Sequence, residues 1–142
     1  MIIFIQELQI HFMKKVLHLF IILILLGSAN AFAQTPATKY YLIKADKVEN
    51  TIKKKNLIVL DVRTPEEVAQ GTLPGAVNYN FDAPDFEKLI SALPKNIPYL
   101  VYCQSSKRSH KAIEIMKALG FVRMYEMEGG MLAYDIAKKK SN

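Results

Sequence analysis

The chain has 142 residues, of which 51% are hydrophobic and 23% are charged, and its formal net charge is +6. This length predicts one domain, and the balance of apolar and charged residues is that of a globular protein and not of a disordered one. The single cysteine excludes an internal disulfide and any metal site built from several cysteines.

The N-terminal segment has the three parts of a secretory signal. A lysine pair at 14–15 precedes the uncharged, eleven-residue run 16–26, and the small-residue motif Ala-Phe-Ala follows at 31–33. Such a run spans about 16 Å as a helix, against about 30 Å of bilayer hydrocarbon. We expect Met13 to be the initiator, residues 1–33 to be cleaved off, and the mature protein to be exported to the periplasm or the cell exterior without a membrane span. An uncleaved anchor and a buried N-terminal helix of a cytosolic protein are the alternatives.

Residues 34–142 predict a single domain with a mild excess of positive charge. Residues 1–33 contain two Lys and one Glu, so the remaining 109 residues carry 17 basic and 12 acidic side chains, a net charge of +5. Much of this excess lies in the runs 53–55 and 138–140, which contain no aromatic side chains. Because such runs are typical of a solvated surface, nucleic acid is not an expected partner. We expect a monomer.

Five short apolar runs predict β-strands, and helical patterns alternate with them. The runs cover 40–43, 57–60, 76–79, 99–102 and 122–125. Between the first two, Asp46 and Glu49 have the spacing of a capping box and predict a helix over residues 46–54. After the second run, Thr64-Pro65-Glu66-Glu67 predicts the start of a short helix, in which we interpret Glu67 only as a cap.

Two later helices are predicted by apolar stripes at helical spacing. The first stripe comprises residues 86, 89, 90 and 93, and the second comprises residues 112, 115, 116 and 119 before Gly120, a residue suited to the left-handed stop of a helix. Apolar strands that alternate with helices predict an α/β fold, with a central, mainly parallel, five-stranded sheet and helices on both faces. Ligands of such sheets bind beyond the carboxyl ends of the strands.

The only cysteine follows a strand of the buried type. Cys103 comes directly after the run 99–102, and a helix is predicted to start near Ser109. The five intervening residues can form only a short, tight loop. Their backbone N–H groups should therefore turn inward around the sulfur, with the positive end of the helix dipole behind them. Lys107 and Arg108 add positive charge. These features favour a thiolate nucleophile next to an anion-binding site.

At this point the sequence resembles the rhodanese (sulfurtransferase) family, over residues 40–137. The resemblance is carried by LDVRTPEE at 60–67 with GTLPGAVN at 71–78, by the loop CQSSKRS at 103–109, and by EGG at 128–130. It implies that residues 34–142 form one domain of the rhodanese fold. It also implies that Cys103 carries sulfane sulfur as a persulfide, without a metal or an organic cofactor.

The resemblance further implies a sulfurtransferase that moves sulfur from a small anionic donor such as thiosulfate to cyanide or a thiol. Asp61 and Arg63 match family positions near the site, where we interpret them as a paired carboxylate and guanidinium that support the loop. The donor anion would be bound by the loop, and above all by the side chains of Lys107 and Arg108. The full set of loop residues is Gln104, Ser105, Ser106, Lys107, Arg108 and Ser109.

Two other functions remain open. Related phosphatases and arsenate reductases have five residues between the cysteine and the arginine, whereas four separate Cys103 from Arg108, and the narrower ring favours a single sulfur atom over a phosphate. A non-enzymatic sulfur carrier or protein-interaction module is the second alternative. Ser106 stands where the family commonly has Gly, which costs on the order of 1 kcal/mol if its φ is positive, although its hydroxyl would be free to donate to the anion. We expect His110 to lie outside the site.

Overall fold

The computed structural model describes residues 2–27 and 37–141. The chain divides into two units, residues 1–35 and 36–142. In the first, one helix (α1) covers Ile2–Gly27, so the helix includes residues 2–12, which precede the expected initiator Met13, and the apolar run 16–26 of the predicted signal. The predicted cleavage site after Ala33 lies outside the described residues. A search of the described part of the chain finds no helix that is both long and apolar enough to cross a membrane.

The second unit consists of alternating strands and helices. The strands are β1 (Lys39–Ile43), β2 (Ile58–Asp61), β3 (Ala76–Asn78), β4 (Pro98–Tyr102) and β5 (Arg123–Met127). The helices are α2 (Val48–Lys55), α3 (Pro65–Ala69), α4 (Phe86–Ser91), α5 (Lys107–Ala118) and α6 (Gly130–Ser141).

The five strands form one parallel sheet, as the sequence predicts, and the structure gives their order as β1-β5-β4-β2-β3. Successive side chains of a strand point to opposite faces. In β4, Tyr99 and Val101 therefore pack against buried residues of α4 and α5, whereas Leu100 and Tyr102 pack against residues of α2 and α6. The central strand is thus buried on both faces, and its carboxyl end lies in the middle of the sheet edge where ligands bind.

The two predicted capping boxes have different outcomes. At α3 the box is formed, because the Thr64 side chain accepts from the Glu67 N–H and the Glu67 side chain accepts from the Thr64 N–H. At α2 the prediction is wrong: Ala45–Lys47 form a 3-10 turn, and neither it nor α2 has a side-chain cap. Glu49 lies instead near α6, where its carboxylate accepts a hydrogen bond from Tyr134. Gly120 has a φ of 86°, as the predicted helix stop requires.

Candidate active site

Cys103 lies immediately beyond the carboxyl end of β4 and is 1% exposed. The loop after it is shorter than predicted, since α5 begins at Lys107 and not near Ser109. Only residues 104–106 connect strand to helix, so Lys107 and Arg108 belong to the first turn of α5. The sulfur therefore lies close to the positive end of a twelve-residue helix, the end of a helix that attracts negative charge.

Ser106 makes the turn into α5 with a left-handed backbone, at a φ of 69°. Its hydroxyl donates to the Met127 carbonyl oxygen at 3.1 Å, which ties the loop to the end of β5. The prediction that this hydroxyl is free to donate to a bound anion is therefore wrong, because its single proton is already engaged. The Ser106 carbonyl oxygen accepts the His110 N–H at 3.0 Å.

The first turn of α6 binds the carbonyl groups of the cysteine loop. The N–H groups at a helix N-terminus have no partner inside the helix. Here Met131 N–H donates to the Cys103 oxygen at 2.9 Å and Leu132 N–H donates to the Gln104 oxygen at 3.1 Å. Gly130 allows this approach, since a Cβ atom there would lie 2.4 Å from the Cys103 oxygen. The EGG motif thus brings α6 against the loop and orients the loop carbonyls toward α6.

Asp61 and Arg63 form a buried ion pair at the end of β2, with 2.7 Å between Arg63 Nη2 and Asp61 Oδ2. Arg63 also donates to the carbonyl oxygen of Gly71 at 2.6 Å and to Gln104 Oε1 at 3.4 Å, so it connects β2 to the cysteine loop. Tyr102 donates to Asp61 Oδ2 at 2.6 Å. Burial, followed by this hydrogen bond, raises the pKa of Tyr102 to about 12. The Tyr102 hydroxyl therefore keeps its proton near neutral pH.

The hydroxyl of Thr72 belongs to the same cluster. It lies 3.1 Å from Asp61 Oδ2 and 2.6 Å from the Tyr102 hydroxyl. The Thr72 hydroxyl thus supplies one more hydrogen-bond donor to the buried Asp61 carboxylate.

Arg108 is held by two carboxylates on the rim of the site. Its Nη2 lies 2.7 Å from Glu67 Oε1 and its Nη1 lies 3.2 Å from Asp82 Oδ2. The interpretation of Glu67 as a cap alone is wrong, because one oxygen caps α3 and the other binds Arg108. The hydrogen bond from Arg108 lowers the pKa of Glu67 to about 2. An anion that binds Arg108 must therefore compete with these carboxylates.

The other polar side chains of the loop differ in exposure. Ser105 and Lys107 are exposed and Gln104 is half-buried. Among the residues that the structure describes, no carboxylate forms a salt bridge with Lys107. Lys107 is thus the cation of the loop that is available to an incoming anion. Within the described ranges, no three His, Cys, Asp or Glu side chains are grouped so that they could hold a metal ion.

Ser109 is fully buried, and its hydroxyl lies between the cysteine and a buried glutamate. Its Oγ is 3.6 Å from Cys103 Sγ and 2.8 Å from Glu126 Oε1. Tyr40 donates to the second oxygen of Glu126 at 2.6 Å, and His110 Nδ1 lies 3.5 Å from that oxygen. His110 therefore contacts the polar network of the site, contrary to expectation. Glu126 was not predicted as a site residue because the predicted strand ends one residue before it, although an acidic residue between apolar neighbours in a buried strand is itself a sign of a functional group.

A buried cysteine at the centre of a parallel sheet edge, held between the N-termini of α5 and α6, agrees with the arrangement that the resemblance to rhodanese domains implies. The chain matches the rhodanese-like domain over residues 44–137, and it belongs to that family. The fold agrees with a solved structure, the rhodanese-like domain protein from Staphylococcus aureus. That protein is 32% identical, with a TM-score of 0.59 over 66% of this chain and 90% of the other.

Two kinds of curated relative are similar to this chain. A protein named sulfurtransferase from Allochromatium vinosum is 30% identical over 80 residues, which cover 56% of this chain and 73% of the relative. A protein named tRNA uridine(34) hydroxylase from Pelagibacter ubique is 35% identical over 104 residues, which cover 70% of this chain. The match spans only 34% of the length of that hydroxylase.

Proposed function

We propose that the protein is a sulfurtransferase in which Cys103 carries sulfane sulfur as a persulfide. The observation that carries the proposal is the position of the Cys103 sulfur at the N-terminus of α5, with four residues between it and Arg108. This ring favours a single bound sulfur atom over a tetrahedral phosphate. The relative named sulfurtransferase supports the same reaction class.

The reaction has two displacement steps. The Cys103 thiolate attacks the outer sulfur of thiosulfate, a new S–S bond forms on the protein, and sulfite leaves with the electron pair of the old S–S bond. Cyanide or a thiolate then attacks the outer sulfur of the persulfide, and the Cys103 thiolate leaves. This is covalent catalysis by an activated nucleophile.

The residues of the loop have separate roles in these steps. The N-terminus of α5 stabilises the negative charge of the thiolate and of the persulfide. Lys107 attracts the donor anion, and Arg108 contributes after it moves from Glu67 and Asp82. The ion pair of Asp61 and Arg63 positions Gln104 and so keeps the loop in its closed shape.

The test is the formation of thiocyanate from thiosulfate and cyanide by the purified protein. We expect Cys103→Ser to abolish thiocyanate formation, because the serine hydroxyl is not ionised near neutral pH and carries no sulfur. Ser91→Ala, the same change at an exposed position of α4 outside the loop, is the matched control and should retain most of the activity. Activity that survives the serine change would exclude Cys103 as the sulfur carrier.

Mass spectrometry separates this proposal from its alternatives. After incubation with thiosulfate, a single extra sulfur atom on Cys103 supports sulfur transfer. A persulfide without turnover of any small donor would instead support a sulfur carrier or an interaction module. Turnover of an aryl phosphate or of arsenate would support the phosphatase class.

We also propose that the protein is exported after cleavage at residue 33. The support is the sequence of residues 14–33 alone. Expressed in a bacterial host with its own secretion pathway, the mature chain should begin at Gln34, as measured by its intact mass. A mature chain that still begins at Met1 or Met13 would contradict cleavage.

A further inference from the structure

A buried chain of polar side chains leads away from the cysteine through Ser109. It runs from Cys103 Sγ to Ser109 Oγ over 3.6 Å and from there to Glu126 Oε1 over 2.8 Å. The Ser106 carbonyl oxygen, at 3.0 Å from Ser109 Oγ, is the second and more distant acceptor of the same hydroxyl. The thiol is 1% exposed and Glu126 is 2% exposed. A thiol in this position must lose its proton before it attacks a donor, and water has little access to it.

From this geometry we infer that Glu126 is a positioning residue that accepts the proton of Cys103 through the Ser109 hydroxyl. Ser109 Oγ takes the proton from the thiol and gives its own proton to the Glu126 carboxylate. The S–H bond and the Ser109 O–H bond break, a new Ser109 O–H bond and a carboxylic O–H bond form, and the net charge stays constant. The inference deepens the proposed function, on which its catalytic meaning rests.

The surroundings of Glu126 suit a buried proton acceptor that has an exposed neighbour, His110. The Tyr40 hydroxyl from β1 donates to Oε2, and burial, followed by the hydrogen bond to Glu126, raises the pKa of Tyr40 above its usual range, so this donor keeps its proton. His110 from α5 is 60% exposed and lies 3.5 Å from the same oxygen, so it connects the carboxylate with water. Two other charged groups, Glu114 and Lys117, lie near Tyr40. Three more line a groove that Tyr40, His110 and Glu126 also line, namely Lys107, Lys111 and Glu128.

Alternative roles for Glu126 predict opposite results in one experiment. A carboxylate that stays ionised near the sulfur would disfavour the thiolate, so its removal would speed up reactions of Cys103. A carboxylate that accepts the thiol proton favours the thiolate, so its removal would slow these reactions. Glu126→Gln is the decisive variant, since the amide has nearly the same shape and can still accept hydrogen bonds but cannot take the proton.

The measurement is the rate of Cys103 alkylation by iodoacetamide between pH 5 and pH 10. We expect Glu126→Gln to slow alkylation at pH 7 about tenfold, which corresponds to a rise of about one unit in the apparent midpoint of the pH profile. Ser109→Ala should slow it in the same direction, and the double variant should be no slower than the slower single variant, because both changes interrupt one path. Glu128→Gln, which removes an exposed carboxylate directly after the end of β5, should leave the profile unchanged.

An unchanged or faster alkylation of Glu126→Gln would overturn the inference, as would additive effects of the two changes. If Glu126→Gln does not fold, as judged by circular dichroism, a wild-type alkylation profile for Ser109→Ala would overturn it equally. Alkylation needs no sulfur donor, so this result is separate from the proposed function. If the wild-type protein forms thiocyanate but the variants are alkylated at an unchanged rate, only the proton transfer through Ser109 to Glu126 is refuted. If the variants are alkylated more slowly but the wild-type protein forms no thiocyanate, only the proposed sulfurtransferase reaction is refuted.

Discussion

At the scale of single residues, Ser106 shows how a side chain can offset the strain of its own backbone. A non-glycine residue in the left-handed region costs about 1 kcal/mol. The hydroxyl of Ser106 donates to the Met127 carbonyl oxygen, and a hydrogen bond of this kind contributes about 0.5–1.5 kcal/mol. The two effects are similar in size, so serine is tolerated where the family commonly has glycine.

This balance predicts an order of stability for two substitutions. Ser106→Gly removes both the strain and the hydrogen bond, so its free energy of unfolding should stay within about 1 kcal/mol of the wild-type value. Ser106→Ala keeps the strain and removes the bond, so it should be less stable than Ser106→Gly by about 1 kcal/mol. Urea denaturation followed by circular dichroism measures both variants. Equal stabilities of the alanine and glycine variants would contradict this account.

At the scale of elements, α6 and the cysteine loop stabilise each other. The N–H groups of the first turn of α6 find their acceptors on Cys103 and Gln104, so the helix end and the loop satisfy each other's backbone groups. The same contact allows α6, on one face of the sheet, to fix a loop that continues into α5 on the other face. The loop therefore depends on a segment more than twenty residues away in sequence.

Gly130→Ala should break this contact. The new Cβ would lie 2.4 Å from the Cys103 oxygen and 2.6 Å from the Gln104 carbonyl carbon. Both are backbone atoms, whose displacement costs more free energy than that of a flexible side chain. Gly120→Ala is the matched control, because its φ is also positive but a Cβ there would meet nothing within 4 Å beyond its chain neighbours. Gly130→Ala should lose about 1–3 kcal/mol more stability than the control and most of the sulfurtransferase activity. Denaturation and thiocyanate assays measure these effects, and equal losses in both variants would refute the steric argument.

At the scale of the whole molecule, the rim of the site joins three segments that are distant in sequence. Arg108 from α5 binds Glu67 from α3 and Asp82 from the segment after β3. Hydrogen-bonding to Arg108 lowers the pKa of Glu67 from its usual 4.5 to about 2. Because the folded protein binds this proton more weakly than the unfolded chain does, the ion pair stabilises the fold above pH 4.5, and this stabilisation is lost as the pH falls toward 2.

Glu67→Gln should therefore destabilise the protein in a pH-dependent manner. At pH 7 the free energy of unfolding should fall by about 1 kcal/mol, and the difference from the wild type should decrease steadily between pH 4.5 and pH 2. Urea denaturation at several pH values, followed by circular dichroism since the chain has no tryptophan, measures this difference. Glu87→Gln, an exposed glutamate of α4, should show no such trend. A difference for Glu67→Gln that is constant with pH would mean that the ion pair does not cause it.

The predictions from sequence succeeded where the determining interactions are local. The strands were recognised because their apolar runs are short and flanked by turn residues, and the cap of α3 was recognised because Thr64 and Glu67 are neighbours on one helical turn. The cap of α2 failed although its spacing is equally good, since Glu49 bonds to Tyr134, 85 positions away. The second partner of Glu67 was missed for the same reason, because Arg108 is 41 positions distant.

By itself, the sequence determined the alternation of strands and helices, the parallel sheet and the position of the cysteine at a strand end, because these follow from hydrophobic periodicity and from turn residues next to each other in the chain. Only the tertiary structure decided which side chains surround the sulfur. The fold carries the first turn of α6 to the loop carbonyls, Glu67 and Asp82 to Arg108, and Tyr40 and Glu126 to the neighbourhood of Ser109. These contacts depend on strand order and packing across the sheet, which residue spacing along the chain does not encode.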